Sequence, residues 1–368
     1  MSKQNKQYST QYIKYQCATY QKIQAKTKLP TDPDLLAIRT IDMHTGGEPL
    51  RVIVEGFPEL KGKNVLEYRR YCHDHYDHLR KALMWEPRGH ADMYGCLLVP
   101  PNDEGADFGI IFLHNEGYST MCGHATIAIA KLAVQMGWVE KQSPVTTLKI
   151  DAPCGRLEVF VQIKEDKVGE VTFHCVPSFV VGLDLKVEIP ELGKIITYDL
   201  AYGGAFYAYV DIRQLGLSVD ARNYRRHIEQ GMAIKRAVMN SPQPVAHPFE
   251  EDLSFLYGTI FTEPVDQPGI DSRNVCIFAD GEVDRCPTGS GVAGRMAIHY
   301  GRGDLKIGES MVIESIVGSR FTGSVVRTKD FGPFEAVIPA VSGTAHVTGE
   351  HTFWIDPADD LGSGFLLR

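Results

Sequence analysis

No apolar run in the chain approaches the roughly 18 to 20 residues needed to span a bilayer, and the N-terminus lacks an apolar signal core. Membrane insertion and secretion are therefore not expected. The eight cysteines contain no CxxC pair, which argues against a zinc site or a disulfide framework and predicts reduced thiols in a cytoplasmic protein. No Walker-type loop or Rossmann fingerprint stands at a strand-to-helix junction, so no nucleotide cofactor is implied. Acid is missing from residues 1–31, which carry six Lys and no Arg; with a net charge of −8 overall, residues 32–368 hold −14. An acidic body excludes a nucleic-acid partner, and the basic leader reads as a loosely packed tail over 1–35, with a mitochondrial destination left open.

What is present suits an ordinary soluble protein: 368 residues, 43% hydrophobic and 23% charged, enough for two cores. From about Leu36 the pattern is strand, turn, strand. The segments 148–163, 169–181 and 336–356 read as hairpins. Helices are predicted over 75–84, 123–136 and 289–300. The last two are apolar nearly all round, with one polar stripe each (Lys131 and Gln135; Arg295 and His299) and with Gly137 and Gly301 as stops.

These helices belong to an internal repeat. In IIFLHNEGYSTMCGHA, Phe112 stands ten residues before Cys122; in CIFADGEVDRCPTGSG, Phe278 stands ten before Thr288. Upstream, DMHTGGEPLRVIV and DLAYGGAFYAYVD place Gly46-Gly47 opposite Gly203-Gly204. The chain reads as α+β, two pseudo-symmetric strand-rich domains of 36–197 and 198–368, each wrapped around a buried helix. The C-terminal strands are allowed to cross back to the first domain. The site is expected in the interdomain cleft.

Two helix N-termini facing one cleft suit a carboxylate, because each leaves N–H groups unpaired and carries about half a positive charge. Glycines at 123, 289 and 291 would let that ligand approach the backbone. Cys122 at a helix start is expected to have a lowered thiol pKa and to act as a base. Thr288, its counterpart, cannot remove a carbon-bound proton unaided; it reads either as an N-cap or as a hydroxyl that holds a water or a leaving group. HDHYDHLR offers His73, His75 and His78 with Asp74 and Asp77, but residues two apart on a helix face different directions and leave only His75/His78 and Asp74/His78 as neighbours, so no metal is implied.

The segments DMHTGGEP, EPRGHADMYG, MCGHATIAIA and DRCPTGSG, in this order along the chain, closely resemble the proline racemase family, whose fold is shared with diaminopimelate epimerase. The likeness covers about residues 36–368. It implies α-proton chemistry on an imino acid without cofactor, by two cysteines in the racemases. This chain keeps only the first, and Pro287-Thr288-Gly289 resembles the family's branch that dehydrates trans-3-hydroxy-L-proline. The same likeness implies that Gly123, His124, Gly289 and Ser290 contact the carboxylate and ring. It implies that Asp284 holds the ring ammonium, against an Asp-Arg turn pair with Arg285, and that the protein is a homodimer. A racemase or hydroxyproline 2-epimerase, and a non-catalytic imino-acid binder, are the competing readings.

Overall fold

A computed structural model describes residues 32–367. The tail expectation over residues 1–31 lies outside the described residues. The first half runs β1 (Leu36–Thr45), β2 (Glu48–Glu55), α1 (Val65–Met84), β3 (Tyr94–Val99), β4 (Phe108–His114), α2 (Gly123–Gln135), β5 (Val145–Ala152), β6 (Gly155–Lys164), β7 (Lys167–His174) and β8 (Phe179–Ile189). The second half runs β9 (Lys194–Tyr202), β10 (Phe206–Asp211), α3 (Tyr224–Met239), β11 (Leu256–Gln267), β12 (Ile270–Phe278), β13 (Glu282–Val283), α4 (Gly289–Arg302), β14 (Ser310–Ser315), β15 (Arg320–Phe331), β16 (Phe334–Gly343) and β17 (Ala345–Ile355).

The pairings repeat as the motifs do. β1 pairs antiparallel with β2, β2 parallel with β3, β3 antiparallel with β4, and β4 parallel with β5. In the second half β9, β10, β11, β12 and β14 follow the same alternation. Gly47 and Gly204 occupy matching left-handed positions in the two opening turns, at φ 92° and 93°, which only glycine adopts readily. The fold is thus the expected α+β duplication.

The halves exchange their last strands. β17 pairs with β1 along its whole length, and β8 pairs with β9; β7 also pairs with β16. This corrects two of the expected hairpins. β7 and β8 go to different partners, as do β16 and β17, which are separated by Thr344 alone, too short for a hairpin loop. The hairpin over 148–163 is present as β5 and β6, whose side chains alternate between buried and exposed as a half-covered sheet requires. The division expected at 197/198 falls inside β9.

Every residue of α2 from Gly123 to Val134 is buried, and each large aliphatic side chain such as Ile127 or Leu132 removed from water contributes about 1.5 to 3 kcal/mol. Lys131 ends its polar stripe on the Ala345 carbonyl at 2.7 Å. α4 is buried from Gly289 to Ile298 and ends two residues later than expected: Gly303, not Gly301, takes the left-handed cap at φ 79°. α1 begins ten residues before the predicted start, where Asn64 accepts the Glu67 N–H at 2.9 Å. α3 was not expected. Its inward positions 227, 231, 234 and 238 have helical spacing, but Gly231 and a run of basic residues mask it; a Cβ at 231 would meet Ile277 at 2.7 Å.

Candidate active site

α2 and α4 cross at their first residues. A Cβ built on Gly123 would lie 2.5 Å from the Gly289 Cα, and one on Gly289 would lie 2.6 Å from the Gly123 Cα. The glycines expected to admit a ligand are therefore required first by the crossing itself. At 291 a Cβ would meet Ile260 at 2.3 Å, again a packing constraint. The crossing brings both helix starts to one cleft of about 300 Å³, lined by Glu48, Tyr94, Met121, Cys122, Gly123, His124, Tyr207, Tyr257, Cys276, Phe278, Asp284, Thr288, Gly289 and Ser290. Cys122, Gly123, His124, Asp284, Thr288, Gly289 and Ser290, singled out from sequence, are brought together there with Phe278 beside them, whereas Gly291 does not line the cleft.

Cys122 is the N-cap of α2, and its Sγ accepts the Ala125 N–H at 3.4 Å. His124 Nδ1 stands 3.1 Å from that Sγ, and His124 Nε2 stands 3.2 Å from the Pro49 carbonyl. A carbonyl only accepts, so Nε2 carries the hydrogen and Nδ1 is free to take the thiol proton. The expectation of a lowered thiol pKa is overturned. Burial pushes the Cys122 thiol well above its usual range, the Ala125 N–H and the Tyr94 hydroxyl pull it back, and Asp284 and Glu48 add to the rise. One helix start does not outweigh a dry cleft with two carboxyl groups. Burial also lowers His124 to about 4, so the resting pair is thiol and neutral imidazole.

Thr288 is the residue before α4, held at φ 66° and ψ 95°. It makes no capping bond. Its hydroxyl donates to Asp284 Oδ2 at 2.8 Å, and its N–H points to Cys286 Sγ at 3.3 Å. With no side-chain cap on α4, the first N–H groups of that helix remain for a ligand. Asp284 Oδ1 accepts the Cys286 N–H at 2.7 Å. The Asp-Arg turn pair does not form, because the Arg285 guanidinium reaches Asp92 Oδ2 at 2.7 Å. Ser290 Oγ is 2.7 Å from the Tyr207 hydroxyl, and Tyr209 donates to the Gly291 carbonyl at 3.0 Å, which pins the first turn of α4 to β10.

Sequence reasoning missed Glu48, Tyr94, Tyr207, Tyr257 and Cys276. Glu48 and Tyr94 lay within motifs already noted, DMHTGGEP and EPRGHADMYG, and a lone acid opening a buried strand was the available signal. The three tyrosines and Phe278 form an aromatic wall, with the Tyr257 and Phe278 rings 5.4 Å apart. Donor atoms of His124, Asp284 and Cys286 lie within 4.8 Å of one another. His124 and Asp284 already spend both of their polar atoms on neighbours, so the trio reads as a hydrogen-bonded set.

The family model described as proline racemase matches residues 40–366. A trans-3-hydroxy-L-proline dehydratase of Colwellia psychrerythraea is 48% identical over 334 residues, 90% of this chain and 93% of that protein. A 3-hydroxyproline 2-epimerase of Burkholderia multivorans is 46% identical over 332 residues, 90% and 98% of the two chains. Among solved structures, a hydroxyproline epimerase from Agrobacterium vitis with bound trans-4-hydroxy-L-proline superposes with a TM-score of 0.84 at 32% identity, covering 90% of this chain and 96% of that one.

Proposed function

The chain belongs to the proline racemase family, and we propose that it is a hydro-lyase that dehydrates trans-3-hydroxy-L-proline to Δ1-pyrroline-2-carboxylate. Overall identity does not separate dehydratase from epimerase, so one position carries the reading. Across the cleft from Cys122 stands Thr288, with its hydroxyl proton committed to Asp284. Epimerisation needs an acid or base on each face of the α-carbon, whereas elimination needs one base and a departing group.

In this reading the substrate carboxylate lies between the starts of α2 and α4, against the N–H groups of Gly123, His124, Gly289 and Ser290. Those donors also stabilise the enolate-like charge that builds as the α-proton leaves. Asp284 faces the ring ammonium. Cys122 passes its proton to His124 Nδ1 and takes the α-proton. The C3–O bond then breaks, and the enamine tautomerises to the pyrroline. Thr288 was expected to assist the departing hydroxide; its bond to Asp284 instead suits it to fix that carboxylate while supplying no second proton. A cytoplasmic homodimer accompanies the proposal. Seven free thiols among the described residues fit a reducing compartment, two-fold assemblies are the commonest, and no helix of the described residues is long and apolar enough to cross a membrane.

The test is to incubate the protein with trans-3-hydroxy-L-proline, and separately with L-proline in D2O, beside Cys122→Ser. Pyrroline product absent in the variant, without D-proline, is the expected result. D-proline from the second incubation would establish the epimerase reading.

A further inference from the structure

We propose that Glu48 is the acid that protonates the departing 3-hydroxyl, so that water and not hydroxide leaves the cleft. The proposal rests on the dehydratase reading above. Glu48 opens β2, is fully buried, and lines the cleft with Cys122, Asp284 and Thr288. Its Oε2 accepts the Arg285 N–H at 2.7 Å. Its Oε1 has no hydrogen-bond partner among the described residues. A buried carboxylate would draw a cation to both oxygens, yet the nearby Arg285 guanidinium turns to Asp92. Such a carboxyl suits the neutral acid form, with its proton on the side that a substrate hydroxyl would fill.

The electrostatics agree with the geometry. Burial raises the Glu48 carboxyl well above the usual range, the charge of Asp284 adds to this, the Arg285 cation and N–H oppose it, and Asp92 adds again. Of the cleft's other titratable groups, Cys122 and His124 are neutral at rest, burial holds Tyr94, Tyr207, Tyr257 and Cys276 well above their usual ranges, and Asp284 bonds the Thr288 hydroxyl and the Cys286 N–H.

Stereochemistry fixes the side on which the acid must act. In the trans isomer the carboxylate and the hydroxyl lie on opposite ring faces, so the α-hydrogen and the hydroxyl share one. The group leaves on the Cys122 side, away from Thr288. The donor must therefore reach the Cys122 side, and Glu48 lines the cleft with Cys122, close enough for its charge to raise that thiol. Glu48 is joined there to Pro49, whose carbonyl holds the imidazole that bonds Cys122.

The protons balance. Cys122, with its own proton on His124, takes the α-proton, and that C–H electron pair becomes the C2–C3 double bond as C3–O breaks. The oxygen keeps its bonding pair, takes the Glu48 proton and leaves as water. Cys122 is then a thiol, His124 an imidazolium and Glu48 a carboxylate; return of the His124 proton to Glu48 restores the start. Tautomerisation moves one proton from nitrogen to C3 and draws none from the protein.

The experiment compares two leaving groups, in wild type and in Glu48→Gln: trans-3-hydroxy-L-proline, and trans-3-chloro-L-proline, whose chloride needs no proton. Glu48→Gln should lose about 10² to 10⁴ in kcat on the hydroxyl substrate and stay within about threefold on the chloro substrate. Equal losses on both, or none on the hydroxyl substrate, would overturn the assignment. Should the variant not fold, wild type supplies the same contrast. Its rate of dehydration relative to chloride elimination should decline as pH rises and Glu48 ionises, and a constant ratio refutes the proposal. Wild type inert toward the hydroxyl substrate defeats instead the dehydratase reading.

Discussion

His124 Nδ1 and Cys122 Sγ lie 3.1 Å apart, with the far side of the imidazole fixed on the Pro49 carbonyl. One consequence is kinetic: His124→Gln leaves the thiol without its proton acceptor and should lower kcat by about 10² or more. Another is thermodynamic. Because His124 is lowered to about 4, the unfolded chain takes up this proton first, near its ordinary value of about 6.5. Stability is complete above that value and is lost as pH falls toward 4, by on the order of 3 kcal/mol for this group. Urea unfolding of wild type and variant at pH 7 and 4.5 measures it; an unchanged difference in the variant would show that the imidazole is not held neutral.

The crossing of α2 and α4 admits no side chain, since Gly123 and Gly289 each face the other's Cα at about the same short distance. Gly123→Ala must push apart a pair of helices whose buried residues are fixed on every side. The expected loss is about 1 to 3 kcal/mol, with activity falling further because the two N-termini no longer meet. Denaturant midpoints and dehydration rates report the two effects. A variant of wild-type stability and rate would mean that the helices slide freely at this point.

Much of this site was legible in the chain. Gly46-Gly47 opposite Gly203-Gly204, and Cys122 opposite Thr288, revealed the duplication and named both helix starts, because local spacing survives in a repeat. The return of β17 to β1, and the pairing of β16 with β7, were not legible: strand pairing over such separations leaves no mark on the local pattern. The segments 169–181 and 336–356 do hold strands, but these strands do not pair with each other as hairpins. Glu48 escaped for a related reason. Its burial and its bond to Arg285 arise only when the second half packs on the first. The direction of the Cys122 shift failed because a helix start is a local feature, while the desolvation that opposes it is tertiary.

Thr288 occupies the place of a second acid–base group, so Thr288→Cys should create one. L-Proline in D2O would then give D-proline, which wild type is expected not to form, detected by chiral chromatography. Dehydration should fall at least tenfold, since the bond to Asp284 Oδ2 at 2.8 Å is lost and a returning proton from the far face competes with elimination. Absence of D-proline from a folded variant would show that residue 288 does not reach the α-carbon.

Asp284 joins local structure to binding, and Asp284→Asn separates the two. The amide keeps an oxygen to accept the Cys286 N–H, which now bonds Oδ1 at 2.7 Å. On the other side the Thr288 hydroxyl, which now donates to Oδ2, can rotate to accept from the new NH2, because a hydroxyl is both donor and acceptor. Removing the charge without removing either bond should leave the melting temperature within a few degrees. The ring ammonium loses its counter-ion inside a buried cleft, where such a pair is worth several kilocalories when broken from one side. KM should therefore rise about 10²-fold or more, with a smaller effect on kcat. If kcat falls instead while KM holds, the carboxylate acts on the reacting atoms rather than on the ammonium.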